Sequence, residues 1–238
     1  MRNVILLLLM LGVAPNTWAE LTLRSGNKSA QLLELYTSQG CSSCPPADEW
    51  LSQLKSHPGL WESIIPVAFH VDYWDWIGWK DPFAQKAFSS RQRNYKTERA
   101  IKSVYTPGFV VDGKEWRGWF DRKPLPAPLA KQHPLVVKVN EGIAEVNYSQ
   151  SEASGQYHIH MAVLGFDLTT PVKRGENTNK TLSEDFVALW YEHKTFKPNS
   201  TQFDLPNKAQ LKAQRLGLAV WVTPAYSSEP VQAVGGWW

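Results

Sequence analysis

The sequence predicts an α/β domain over residues 20–132 followed by a mostly antiparallel, sandwich-like β domain over residues 133–238. Three observations predict it. Two apolar strands, Gln31–Thr37 and Ile64–Val71, flank a helical stretch. Residues 121–134 (DRKPLPAPLAKQHP) carry four prolines and read as a linker. Beyond it, short alternating or apolar runs are separated by turn residues, the texture of antiparallel β-structure.

Taken in order, the chain opens on Arg2, the apolar run Val4–Val13 and small residues up to Ala19. This reads as a cleaved secretory signal over residues 1–19. The run is too short for a bilayer span, which needs about 20 apolar residues. The expectation is an exported protein, periplasmic or secreted, with no membrane span after cleavage. Gln31–Thr37 is the first strand, and Ser38–Gly40 the loop after it. Pro45, Pro46, Asp48 and Glu49 suit a first helical turn, where a missing N–H is harmless and acids are favoured. Trp50, Leu51 and Leu54 give that helix an apolar face, and Pro58-Gly59 ends it. Ile64–Val71 is a continuous apolar run of the kind buried on both faces. Asp81 as N-cap and Pro82 at the first position open a long helix to about Ala100. Phe109–Val111 and Lys114–Trp119 form a hairpin around Asp112-Gly113. The second domain takes its strands from Leu135–Val139, Ile143–Tyr148, Tyr157–Leu164, Phe186–Tyr191 and Leu216–Val222.

The formal net charge is +3 and falls to +2 when Arg2 leaves with the signal. Basic residues are scattered among acids, so no nucleic-acid partner is expected. Of the 12 tryptophans, seven lie between Trp50 and Trp119. Such rings fill cores or line recognition grooves.

The chain has two cysteines, Cys41 and Cys44, in GCSSCPPAD. A domain of this size buries its own core and needs no staple, so the pair calls for a local explanation. Three readings stay open: a redox-active dithiol, a static Cys41–Cys44 disulfide, and a metal site. Zinc wants about four ligands and no second Cys pair exists. Copper(I), which soft thiolates suit, is the remaining metal. The spacing puts Cys41 at the helix start, where dipole and free N–H groups favour a thiolate, and Cys44 one turn in.

A strand, a short loop and Cys-x-x-Cys opening a helix resemble the thioredoxin-like arrangement. Residues 20–132 are therefore expected to form an α/β thioredoxin-like domain. The resemblance implies a cis-proline at Thr106-Pro107, facing the cysteines, with Thr106 and Pro107 as the wall that holds a substrate strand. More of the chain is similar to one family. ELYTSQGCSSCPPAD, HVDYWDWIGWKDPF, VYTPGFVVDG and VKRGENTNKTL resemble the secreted thioredoxin-like family catalogued as domain of unknown function 1223. That resemblance implies a fold and a site, and no established reaction. Gly40 departs from thioredoxins, which commonly carry tryptophan there.

Glu34 lies mid-strand, seven residues before Cys41. It is read either as a buried acid that moves the inner thiol's proton or as a strand-face acid paired with Lys or Arg. His70 is read as a hydrogen-bonded core histidine. Asp72, Tyr73, Trp74 and Trp76 follow at a strand's carboxyl end, where open sheets place sites. Asp72, Trp74 and Trp76 are the substrate-binding candidates, against plain packing for the tryptophans. His158 and His160 are read as ordinary strand residues. Arg174–Asn177 is a polar turn that contacts the first domain, and Gly235–Trp238 a tail that docks or stays loose. The function expected is an exported thiol-disulfide oxidoreductase. Cys41 attacks, Cys44 resolves, no cofactor is needed, and protein or peptide thiols and disulfides are the partners. The alternative is a non-catalytic peptide- or copper(I)-binding module with a structural Cys-x-x-Cys.

Overall fold

Gln31–Thr37 is buried at all seven positions, and so is Ile64–His70. A strand buried on both faces and both edges needs neighbours on every side. That requirement organises the molecule. The computed structural model describes residues 20–26, 30–128, 133–149, 156–196 and 201–238. The signal expected over residues 1–19 and part of the proline-rich linker, residues 129–132, lie outside the described residues.

The strands are β1 (Leu21–Arg24), β2 (Gln31–Thr37), β3 (Ile64–His70), β4 (Gly108–Val111), β5 (Lys114–Glu115), β6 (Leu135–Asn140), β7 (Ile143–Tyr148), β8 (Tyr157–Phe166), β9 (Leu168–Pro171), β10 (Thr181–Glu184), β11 (Val187–Thr195), β12 (Thr201–Asp204), β13 (Arg215–Pro224) and β14 (Gln232–Trp237). The α-helices are α1 (Pro45–Gln53) and α2 (Lys86–Thr97). Eight strands make one mixed sheet in the order β14-β13-β8-β11-β3-β2-β4-β5. β2 and β3 are parallel, with α1 between them in the chain, and β4 returns antiparallel to β2. Asp112 and Gly113 both take positive φ, 46° and 82°, as a two-residue hairpin of this kind requires. The partner strand β5 is only Lys114–Glu115, shorter than expected.

The expected fold class, an α/β thioredoxin-like domain followed by a separate sandwich-like β domain, is corrected here. About 42% of the described residues are strand and 16% helix, in large mixed sheets. The physical reason is the second edge of β3. β11 lies parallel to it with Val187 opposite Ala68, and the Ala68 N–H donates to the Phe186 carbonyl at 2.8 Å. Strands from both sides of the proline-rich segment therefore share one sheet. β1 also pairs with β6, in a four-stranded sheet ordered β1-β6-β7-β12.

β8 and β13 wall two cores at once. Ile159, Met161, Val163, Leu218, Val220 and Val222 face the four-stranded sheet. Ala162, Leu164, Ala219 and Trp221 face the core of β2, β3 and the helices. This is why Tyr157–Leu164 and Leu216–Val222 read as apolar runs with little alternation. α2 is also shorter than predicted. It begins at Lys86 with Gln85 as N-cap, not at Asp81, and ends at Thr97.

The two faces of β2 meet different helices. Thr37 Oγ1 donates to Asp48 on α1, while Glu34 and Tyr36 engage side chains of α2. Glu34 is fully buried. Arg91 donates to it twice, from Nε at 2.9 Å and from Nη2 at 2.8 Å, and the hydroxyls of Tyr36 and Tyr95 complete its four bonds. The guanidinium also lies over the rings of Phe69, Tyr95, Tyr191 and Trp221. Glu34 thus takes the second of its two readings, a paired strand-face acid. It lies on the sheet face opposite α1.

Candidate functional site

Pro45 and Pro46 open α1, and the Cys41–Cys44 turn precedes it. The Cys41 N–H donates to the Ser38 carbonyl, and the Cys44 N–H to that of Cys41. The two cysteines form a disulfide, with Cα atoms 5.5 Å apart. Their side chains are 1% and 0% exposed. Cys41 Sγ lies 3.2 Å from the Ser43 hydroxyl and 3.8 Å from the Thr106 carbonyl oxygen. The Thr106–Pro107 peptide is cis. Trp74 Nε1 donates to Thr106 Oγ1 at 2.8 Å, so Trp74, Thr106 and Cys41 stand together.

The other substrate-binding candidates are placed differently. The Asp72 N–H donates to Ser89 Oγ, and the Ser89 hydroxyl returns a bond to the Asp72 carboxylate, which ties Asp72 to α2. Trp76 is 82% exposed on the turn beyond it. The aromatic cavity beside the motif is built from other rings. Pro46, Trp50, Trp116, Trp119 and Phe120 enclose about 590 Å³, with Arg122 and Lys123 among the lining residues.

Gly40 has a direct steric cause. A Cβ there would stand 3.0 Å from Trp74 Cβ and 3.3 Å from Ile77 Cδ1. Trp74 Cβ is bonded directly to the backbone and is not a flexible tip, so it yields only by moving backbone. Gly40→Ala is expected to cost about 1–3 kcal/mol by overpacking. Thermal unfolding checks this, and an unchanged midpoint would refute it.

Beneath the motif lies a buried polar cluster that sequence reasoning missed. His70 Nδ1 is 2.7 Å from Asp81 Oδ2, and His70 Nε2 is 4.0 Å from Glu184 Oε1. Asp81 also accepts from the N–H groups of Gln39 and Phe83. Gln39 Nε2 donates to Glu184 at 2.7 Å. Asp48 shares the α1 face of Cys44, one turn on, and its N–H donates to the Cys44 carbonyl. Burial alone would lower the His70 pKa, but the charges of Asp81 and Glu184 outweigh it and raise it to about 9. Burial lifts Glu184 to about 6, against the pull of His70. Burial, then the charge of Glu184, holds Asp48 well above the carboxylate range. Asp81 goes the other way. Burial pushes it up, but the His70 charge and the bonds it accepts bring it below its ordinary value. The arrangement pairs His70 with Asp81 and leaves two carboxyls of raised pKa, Asp48 and Glu184, beneath the motif. Asp81 in the sequence looked like a helix cap, and nothing local links it to His70.

The polar turn at Arg174–Asn177 reaches this loop from the distal half. Asn177 is fully buried, and its Nδ2 donates to the carbonyls of both Gln39 and Cys41 at 2.9 Å. Glu176 accepts from the Ser42 N–H at 2.8 Å. Elsewhere, His158, His160 and His193 cluster by the α2 face. Both ring nitrogens of His160 are held, by the hydroxyls of Tyr191 and Thr223. Among the described residues no group of three or more His, Cys, Asp or Glu is placed to hold a metal ion, and no helix is long and apolar enough to cross a membrane.

A family model described as "Protein of unknown function (DUF1223)" matches residues 32–223. The chain belongs to the DUF1223 family. No curated protein matches it. The crystal structure of protein AGR_C_4864 from Agrobacterium tumefaciens is similar, with 23% identity, a TM-score of 0.61, and 89% of this chain and 95% of that one covered. HBP35 of Porphyromonas gingivalis is similar with 11% identity and a TM-score of 0.52, over 89% of this chain and 76% of that one. At these identities the two structures speak for the fold alone. The DUF1223 match spans every residue of the buried cluster, from Gln39 to Glu184.

Proposed function

We propose that this DUF1223 protein is an exported thiol–disulfide exchange protein acting on protein or peptide thiols and disulfides. The observation that carries the reading is a lone disulfide just before α1, backed by two buried carboxyls of raised pKa, Asp48 and Glu184. In the reducing direction, the Cys41 thiolate attacks one sulfur of a substrate disulfide. The substrate S–S bond breaks, the second substrate sulfur leaves as a thiolate, and a mixed disulfide forms at Cys41. Cys44 then attacks Cys41 Sγ and releases the first substrate sulfur. The substrate gains two electrons and two protons, and the Cys41–Cys44 dithiol becomes the disulfide. Asp48, one turn from Cys44 on α1, is the carboxyl that takes the Cys44 proton once it has given up its own, a base of raised pKa. Thr106 and Pro107 form the wall along which an extended substrate lies, and Trp74 holds Thr106. The reverse sequence oxidises a substrate dithiol.

One observation favours a second reading. Both sulfurs are almost fully covered, as a static staple in a peptide- or copper(I)-binding module would be. The variants decide between the two. Cys41→Ser is expected to abolish exchange with a model disulfide, and Cys44→Ser to accumulate mixed disulfides resolved by non-reducing electrophoresis. Exchange rates unchanged in both variants would sink the exchange reading.

A further inference from the structure

The start of α1 is poor in donors. Pro45 and Pro46 carry no N–H, and the N–H groups of Ala47 and Asp48 both point to the Cys44 carbonyl. The Cys44 N–H goes to the Cys41 carbonyl. Ser42, next to Cys41, offers a backbone donor that a thiolate at Cys41 would use. That donor is taken by the carboxylate of Glu176, at 2.8 Å. Glu176 follows Gly175, whose φ of +77° suits a residue without Cβ and where a Cβ would stand 3.1 Å from Ile77 Cδ1 and 3.3 Å from Trp79 Cβ. Asn177, fully buried, fixes the turn by gripping the Gln39 and Cys41 carbonyls, and Lys180 Nζ holds Asn177 Oδ1 at 3.0 Å. The turn is thus built to present one exposed carboxylate to the cysteine loop.

We propose that Glu176 is a positioning residue that sets the redox poise of the Cys41–Cys44 pair, by occupying the Ser42 N–H and placing a negative charge beside Cys41. The inference rests on the exchange reading above. Its sign follows from the chemistry of the reduced state. Helix N-termini make a disulfide oxidising by stabilising the thiolate, and hence the reduced form. Glu176 works against that. It removes a donor and adds like charge, so the reduced form is disfavoured and the disulfide favoured. Asp48 and Glu184 lie behind the loop, Lys173 and Arg174 lead into the turn, and Lys180 is held at Asn177. The Ser42 bonds keep Glu176 ionised, with its pKa below the ordinary value.

The test uses the full mature chain equilibrated in glutathione redox buffers, with the oxidised fraction read by thiol alkylation. Glu176→Gln keeps an acceptor for the Ser42 N–H and removes the charge. It is expected to shift the equilibrium toward the reduced protein on the order of fivefold, about 20 mV for a two-electron couple. Raising salt to about 1 M is expected to shrink the difference, because the carboxylate is exposed. Glu176→Ala, which also frees the donor, should shift at least as far. If only Glu176→Ala moves the equilibrium, the role is structural and the inference falls. If Glu176→Gln and wild type agree within twofold at low salt, it falls as well, while a reducible pair leaves the exchange reading standing. A disulfide that no reductant opens short of unfolding removes both.

Discussion

Arg91→Met is expected to cost about 3–5 kcal/mol, because it strands the Glu34 carboxylate inside the protein with only two tyrosine hydroxyls. For a chain of this size that is roughly a 10 °C fall in unfolding midpoint. The wild-type pair does not stabilise in proportion. Both ions left water to form it, and attraction largely offsets that desolvation. The asymmetry gives the test its second arm. Glu34→Leu combined with Arg91→Met is expected to recover much of the single variant's loss, since no charge is left unpaired. Denaturant unfolding of the two variants checks this. A loss below about 1 kcal/mol for Arg91→Met would mean that Glu34 finds water or another donor.

His70 governs the second large effect, and its sign is opposite to ordinary acid denaturation. Its folded pKa, about 9, lies above its unfolded value of about 6.5. The stability it contributes is therefore fully present below pH 6.5 and is lost as pH rises through about 9. The difference amounts to about 3 kcal/mol. Glu184 adds in the same direction over a lower window. Its raised carboxyl contributes stability below about pH 4.5 that is lost by about pH 6. Asp81, whose pKa is lowered, contributes stability present above its unfolded value and lost in acid. Unfolding free energy is thus expected to fall between pH 6.5 and 9. His70→Gln should lower stability at pH 7 and flatten that decline. A wild-type profile flat across this window would refute the charged His70.

Much of the site was legible because its pieces are local. The apolar run Ile64–Val71, the prolines after Cys44 and Asp112-Gly113 each declare an element within a few residues. The disulfide and the cis Thr106–Pro107 peptide stand where the motif resemblance put them. What escaped was pairing across the chain. Ile64–Val71 declared a strand buried on both faces, but nothing in it names Phe186–Val187 as the neighbour on its second edge. That one pairing replaces two domains by a shared sheet. Glu34, flanked by Leu33 and Leu35, gave no clue to which face it used. Arg174–Asn177 was legible as a polar turn touching the cysteine half, while its targets, the Ser42 N–H and the carbonyls of Gln39 and Cys41, were not.

The β3–β11 pairing also dictates an order of events when the chain is made. β2, β3, β4 and β5 are all present once residue 115 has been synthesised, and they pair among themselves. The far edge of β3 stays bare until residue 187 exists to cover it. A nascent chain in that interval carries an apolar strand with unpaired N–H and C=O groups, which is a template for joining other chains. Closing so long a loop is also slow. Fragments that end before β11 should therefore be the aggregating species of this protein, and its synthesis should depend on whatever shields β3 until β11, Val187–Thr195, arrives.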